Sequence, residues 1–230
     1  MTTSYLPLTR EIHALFVDEV WAMGCVQSDV YDDDVRLFAR AVYTQPVEVR
    51  RGDAVQGGVA LRVTDDLVNV HPFVFRQVCT NGAIMPVSLH SRFVRRVEVG
   101  SPFEVLIAVR AALRTSGDPT VFANAVRMMQ WATRQPPDLI SHLLPMLSGM
   151  QRRDAALHVE IVERYMRQLD PSAFGLVNAV TSTARDTADP ERRWSIEEMG
   201  GTMLAFLSSV RTSGSGGATV PEGALIDACA

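Results

Sequence analysis

From Thr9 to Met23 the apolar positions fall at Ile12, Leu15, Phe16, Val20 and Met23. That spacing keeps them on one face of a 3.6-residue repeat, and Pro7 ahead and Gly24 behind bound a predicted helix. Ser28 to Asp34, reading SDVYDDD, predicts an acidic loop. From Val35 the period drops to two. Val35, Leu37, Ala39 and Ala41 alternate with Arg36, Phe38, Arg40 and Val42, and Pro46 to Val49 continues in extended style. Arg50-Arg51-Gly52-Asp53 reads as a turn. Gly57-Gly58 then opens a second strand over Val59 to Val63, Thr64-Asp65-Asp66 turns again, and Leu67 to Phe75 returns as a third. Ser91 to Val99 predicts one more strand, with Phe93, Arg95, Val97 and Val99 on one side.

After Gly100 the pattern is helical throughout. Predicted helices cover Phe103 to Arg114, Pro119 to Arg134, Pro137 to Met150, Arg153 to Leu169, Ser172 to Ala188 and Ile196 to Arg211. Asp118-Pro119, Asp170-Pro171-Ser172 and Asp189-Pro190 supply capping side chains and first-turn prolines. Strands followed by helices is the α+β signature. The expected architecture is an N-terminal helix and an antiparallel β-meander packed with a C-terminal helical half. One domain spans 1–211, with strands mainly over 35–99 and helices mainly over 100–211. The stretch 212–230 has the composition of a flexible tail.

Composition narrows the class. At 230 residues, 47% hydrophobic and 21% charged, the chain can bury a sizeable core and is not of disordered type. No apolar run is long enough to cross a bilayer, and no secretory leader is visible, so the expectation is a cytoplasmic protein without membrane contact. Three widely spaced cysteines and five histidines without ligand spacing predict neither a disulfide framework nor a metal site. The Asp29, Asp32, Asp33, Asp34 cluster lacks the glycine and distal glutamate of a calcium loop. No cofactor is expected. All 22 basic residues are arginine and the net charge is −4, which excludes a wholly basic surface but not a local groove.

Two blocks carry the candidate chemistry. In Arg76-x-x-Cys79-Thr80-Asn81-Gly82, Asn81-Gly82 reads as a turn, and Arg76, Thr80 and Asn81 form a donor-rich edge that suits an anion. Cys79 could serve as a nucleophile only with a base, for which His71 and His90 are the neighbours in sequence. On the predicted helix after Pro171, Phe174, Asn178, Thr181 and Arg185 share one stripe, opposite Leu176, Val177, Val180 and Ala184. That stripe faces either solvent or a polar pocket shared with the first block. Between Arg76 and Arg114 there are six arginines against two acids, a local surplus of four. If these six (Arg76, Arg92, Arg95, Arg96, Arg110 and Arg114) share a face with Arg50, Arg51 and Arg62, they form a groove for phosphates, and Phe73, Phe75 and Phe93 offer stacking surfaces.

The same blocks carry a resemblance. Gly52-Asp53-x-x-x-Gly57-Gly58, then Phe73-x-Phe75-Arg76-x-x-Cys79-Thr80-Asn81-Gly82, then Asn178-Ala179-x-Thr181 and Gly200-Gly201 resemble a phage- and plasmid-borne bacterial family, domain of unknown function 932. They span about two-thirds of the chain. The resemblance implies a mobile-element context and recurrent polar residues, with no assigned substrate.

Three functional readings follow. The first is an accessory protein of recombination or replication that binds single-stranded nucleic acid through Arg76, Thr80, Asn81, Arg92, Arg95, Asn178 and Thr181. The second is an enzyme acting on a phosphate- or carboxylate-bearing small molecule, with Arg76 as the clamp. The third is a protein-binding module aimed at a host factor. The sequence leaves homo-oligomerisation open.

Overall fold

The structure is a computed structural model that describes residues 9–64, 67–86, 88, 90–95, 101–135 and 154–213, and their side chains apart from those of 95 and 207–213. Helix α1 (Thr9–Ala22) leads into strands β1 (Cys25–Asp32), β2 (Leu37–Tyr43), β3 (Val47–Arg50), β4 (Asp53–Val63), β5 (Leu67–Arg76), β6 (Asn81–Ile84) and β7 (Arg92–Arg95). Helices α2 (Pro102–Ser116), α3 (Pro119–Ala132), α4 (Ala155–Arg167), α5 (Ala173–Arg185) and α6 (Pro190–Ser213) follow. The order is α+β, as the pattern predicts.

All strand pairings are antiparallel. The sheet runs β1-β2-β4-β5-β6, with β3 added to β4 and β7 to β5. One face carries Leu37, Ala39, Ala41, Leu61, Val63, Val68 and Val70 under α1 and α2. The other carries Phe38, Val42, Ala60, Phe73 and Ile84 around Trp194 of α6. At the β3–β6 end, Val49, Val55, Val74, Ala83 and Met85 pack with α3, α5 and α6. Helices on both faces explain why β2 is buried at Arg40 and Phe38 as well as at Leu37 and Ala39.

The helices begin on satisfied caps. Ser101, Asp118, Asp154 and Ser172 each accept a first-turn backbone N–H, so four helix starts have a partner for an otherwise orphaned donor. Glycine matters most where α6 crosses β6. A Cβ on Gly201 would collide with the Ile84 carbonyl, and one on Gly200 with the Thr181 methyl, so this pair lets the helix lie directly on the strand.

Four expectations are corrected. Ser28 to Asp34 is not a loop: most of it belongs to β1, an edge strand paired with β2. Its side chains stay largely exposed, which gives it loop-like composition. Gly24 at φ 76° turns the chain from α1 straight into that strand. Asn81-Gly82 is not a turn either. The turn lies at Gln77–Thr80, with Thr80 at φ 48°, and Asn81 opens β6. The second meander strand starts at Asp53, ahead of Gly57, and α6 starts at Pro190, ahead of Ile196. The helix expected over Pro137 to Met150 and most of the expected tail lie outside the described residues. Among the described residues no helix is long and apolar enough to cross a membrane.

Candidate functional site

The two sequence blocks meet in space. Arg76, at the end of β5, donates Nε to Asp53 Oδ1 at 2.7 Å and Nη2 to Asp53 Oδ2 at 2.6 Å. Its Nη1 lies 2.9 Å from the Cys79 sulfur. Arg50 donates to the same Asp53 at 3.2 Å and to Asp170 at 2.7 Å. Both guanidinium groups sit over the Phe174 ring of α5, at 5.4 Å for Arg50 and 5.5 Å for Arg76. Burial opposes the Arg76 charge, but the Asp53 pair outweighs it and holds its pKa above the usual value. Burial likewise opposes ionisation of Asp170, yet hydrogen bonds from Ser172 and Arg50 keep its pKa low.

Asn81 donates its amide to Thr181 Oγ1, joining the strand block to the helix block directly. Thr181 in turn donates to the Val177 carbonyl at 3.1 Å. Arg185 donates to the Cys79 carbonyl at 2.8 Å, closing the turn onto α5. Arg76, Asn81, Asn178 and Thr181 line one cavity of about 10 Å³, with Phe174 and Val177 among its walls. That is roughly the space of one water. The Phe174–Thr181 stripe is therefore not a solvent face: Phe174, Asn178 and Thr181 are all buried, and α5 is buried on nearly every side.

The seven expected anion-binding residues thus separate. Arg76, Asn81, Asn178 and Thr181 serve the protein's own interior. Thr80 is exposed on the turn. Arg92 and Arg95 lie on β7, where Arg92 is exposed. Among the described residues the arginines of the expected basic groove do not share one face. Arg62 pairs with Glu191 on the α6 face of the sheet, while Arg110 and Arg114 bracket Glu19 on the α1–α2 face. The pleat sends successive side chains to opposite faces, so clustering in sequence did not become clustering in space. Phe73 is buried in the core and offers no stacking surface, whereas Phe93 is 59% exposed.

A second polar cluster, not singled out by the sequence reading, lies between the sheet and the first half of α6. Arg40 donates to the buried Glu197 at 2.6 and 2.9 Å, and Arg193 bridges Glu197 and Asp29. Burial raises the Glu197 pKa against the pull of Arg40 and Arg193. Beside this network, His71 is 0% exposed, with Nε2 3.6 Å from Glu198 Oε1. Burial, reinforced by Arg62, pushes the His71 pKa down to about 4. Burial pushes Glu198 up, partly offset by the nearby Trp194 indole and Arg62. The His71 ring makes a T-shaped contact with Phe93 (5.2 Å between ring centres) and lies tilted against Trp194 (5.9 Å). The signal in the sequence is Asn69 and His71 at alternate positions of an otherwise apolar strand.

Comparison with family models, with curated proteins and with solved structures gives no match to this chain.

Proposed function

We propose that this chain binds single-stranded nucleic acid, through β7 and not through the Arg76–Asn81 block. The observation that carries the reading is the outer strand Arg92-Phe93-Val94-Arg95. It places a 59% exposed aromatic ring between two arginine positions on a strand that pairs with β5. An exposed ring gives any base a stacking face, and position 95 falls on the ring's side of the strand for a phosphate contact, with Arg92 on the opposite side. The resemblance to phage- and plasmid-borne proteins fits such a role. The small-molecule enzyme reading has weaker support, because the cavity joining the two blocks holds about one water. A protein-contact reading draws on Trp21 and Phe103, 79% and 71% exposed on α1 and α2. Shared sedimentation of the chain with a captured partner, lost in Trp21→Ala, would favour it.

The test is a salt series with a fluorescent single strand and its duplex. Single-strand affinity is expected to fall with salt, and the log–log slope to shrink by about 0.7 in Arg95→Ala, with Arg92→Ala as the comparison from the opposite side. Binding that is absent at low salt, or indifferent to Arg95→Ala, removes the reading.

A further inference from the structure

Five buried side-chain atoms on one face of the sheet have no hydrogen-bond partner among the described residues: Arg62 Nε, Asn69 Oδ1, both ring nitrogens of His71, and Trp194 Nε1. The positions are neighbours. Arg62 stands opposite Asn69 in the β4–β5 register, and His71 is two residues further along β5. Phe93 pairs with Asn69 from β7, and its ring meets the His71 ring in a T-shaped contact. Trp194 Nε1 is close enough to Glu198 to favour the ionised carboxylate, but makes no hydrogen bond of proper geometry. Buried polar atoms almost always find partners, and one left unmade is costly. Glu198 faces two of them, its Oε1 3.6 Å from His71 Nε2 and its carboxylate beside Trp194 Nε1, while Arg62 Nε, Asn69 Oδ1 and the second His71 nitrogen point to partners beyond the described residues.

The chemistry of the set is mixed. Arg62 Nε, Trp194 Nε1 and one nitrogen of neutral His71 donate, while Asn69 Oδ1 and the other His71 nitrogen accept. Phosphate, which only accepts, leaves the acceptors unmet, and a metal ion leaves the donors unmet. A planar heteroaromatic ring with donors and acceptors along its edge meets both, and Phe93 at the rim supplies a ring to stack on. We infer that this layer is a nucleobase site, which an unstacked base enters when Phe93 swings off His71. The inference rests on the single-strand reading above and names the group it recognises. Entry requires movement of β7, which is four residues long and pairs with β5 alone among the described strands.

The indole N–H of Trp194 reports the site. It is one of three tryptophan side-chain signals in a proton–nitrogen correlation spectrum of the full chain, assigned by Trp194→Phe or, if that variant does not fold, by elimination with Trp21→Phe and Trp131→Phe. The probes are an oligodeoxythymidylate of about eight nucleotides, a length within the usual single-strand site size, an abasic strand of equal length, and thymidine monophosphate. Fluorescence anisotropy follows occupancy in parallel. The Trp194 signal is expected to move with oligothymidylate over the range in which anisotropy saturates, and to stay fixed with the abasic strand. A response to the monophosphate as well supports the same site and shows that the base suffices. A signal fixed at saturation, or moved equally by the abasic strand, overturns the base site while leaving strand binding at Phe93 standing. No anisotropy change with any strand overturns both.

Discussion

Asp53 is 4% exposed and holds two guanidinium groups, so truncating Arg76 leaves a buried carboxylate with Arg50 as its remaining partner. Breaking a buried pair outright costs about 3–5 kcal/mol; with Arg50 in place, Arg76→Ala is expected to cost roughly 2–3 kcal/mol. The measurement is the urea midpoint at unchanged slope. Asn81→Ala and Thr181→Val are expected to be non-additive by roughly 1 kcal/mol in a double-mutant cycle, because their side chains bond each other. Arg76, Asn81, Asn178 and Thr181 stood out in the sequence as polar residues needing an explanation. Their partners did not. Asp53 lies 23 residues from Arg76 and Thr181 lies 100 from Asn81, and no local pattern encodes such pairings. What looked like an edge offered to an anion has Arg76 engaged by Asp53 and the Asn81 amide N–H engaged by Thr181.

At the level of elements, period-two and period-3.6 patterning made most strands and the described helices legible. It failed where exposure hid the period, as in β1; β2 was legible as a strand, but not that helices would cover both of its faces. The Gly200–Gly201 pair was visible without its purpose, which is the close crossing of α6 over β6. Gly201→Ala is expected to cost more than about 2 kcal/mol, since the added methyl meets the Ile84 backbone. Gly24→Ala has open space and only its positive φ to oppose, and is expected to cost roughly 1 kcal/mol.

The β5–α6 layer also gives the protein a pH dependence. Burial lowers the His71 pKa from its ordinary 6.5 to about 4, so between those values the unfolded chain binds the extra proton. Stability therefore rises with pH across that window and is lost as pH falls through it, by up to roughly 3 kcal/mol. Glu197 and Glu198, both raised, work in the opposite sense as pH climbs above the usual carboxylate range. Comparing wild type with His71→Gln isolates the histidine, and the variant's denaturation midpoint is expected to change less between pH 4 and 6.5. An equal slope in both proteins would assign the dependence elsewhere.

For the whole molecule, a net charge of −4 goes with ion pairs that, among the described residues, spread over both sides of the sheet. Arginines from the strands and helices meet acids on opposite sides of the sheet: Arg40 with Asp29 and Glu197, Arg62 with Glu191, and Arg110 and Arg114 with Glu19. Composition could not show this, and it is why the described arginines of a basic segment do not gather on one face. On β7 the Phe93 ring and Arg92 are exposed. The decisive measurement is the affinity of the wild type and of Phe93→Ala for one fluorescent single strand at fixed salt, with Arg76→Ala as the comparison at a temperature where all three are folded. Loss of one stacked base is worth about 1–3 kcal/mol, so Phe93→Ala is expected to bind at least about fivefold more weakly while Arg76→Ala binds like wild type. Equal affinity for wild type and Phe93→Ala, or weakened binding in Arg76→Ala alone, would contradict the assignment of strand binding to β7.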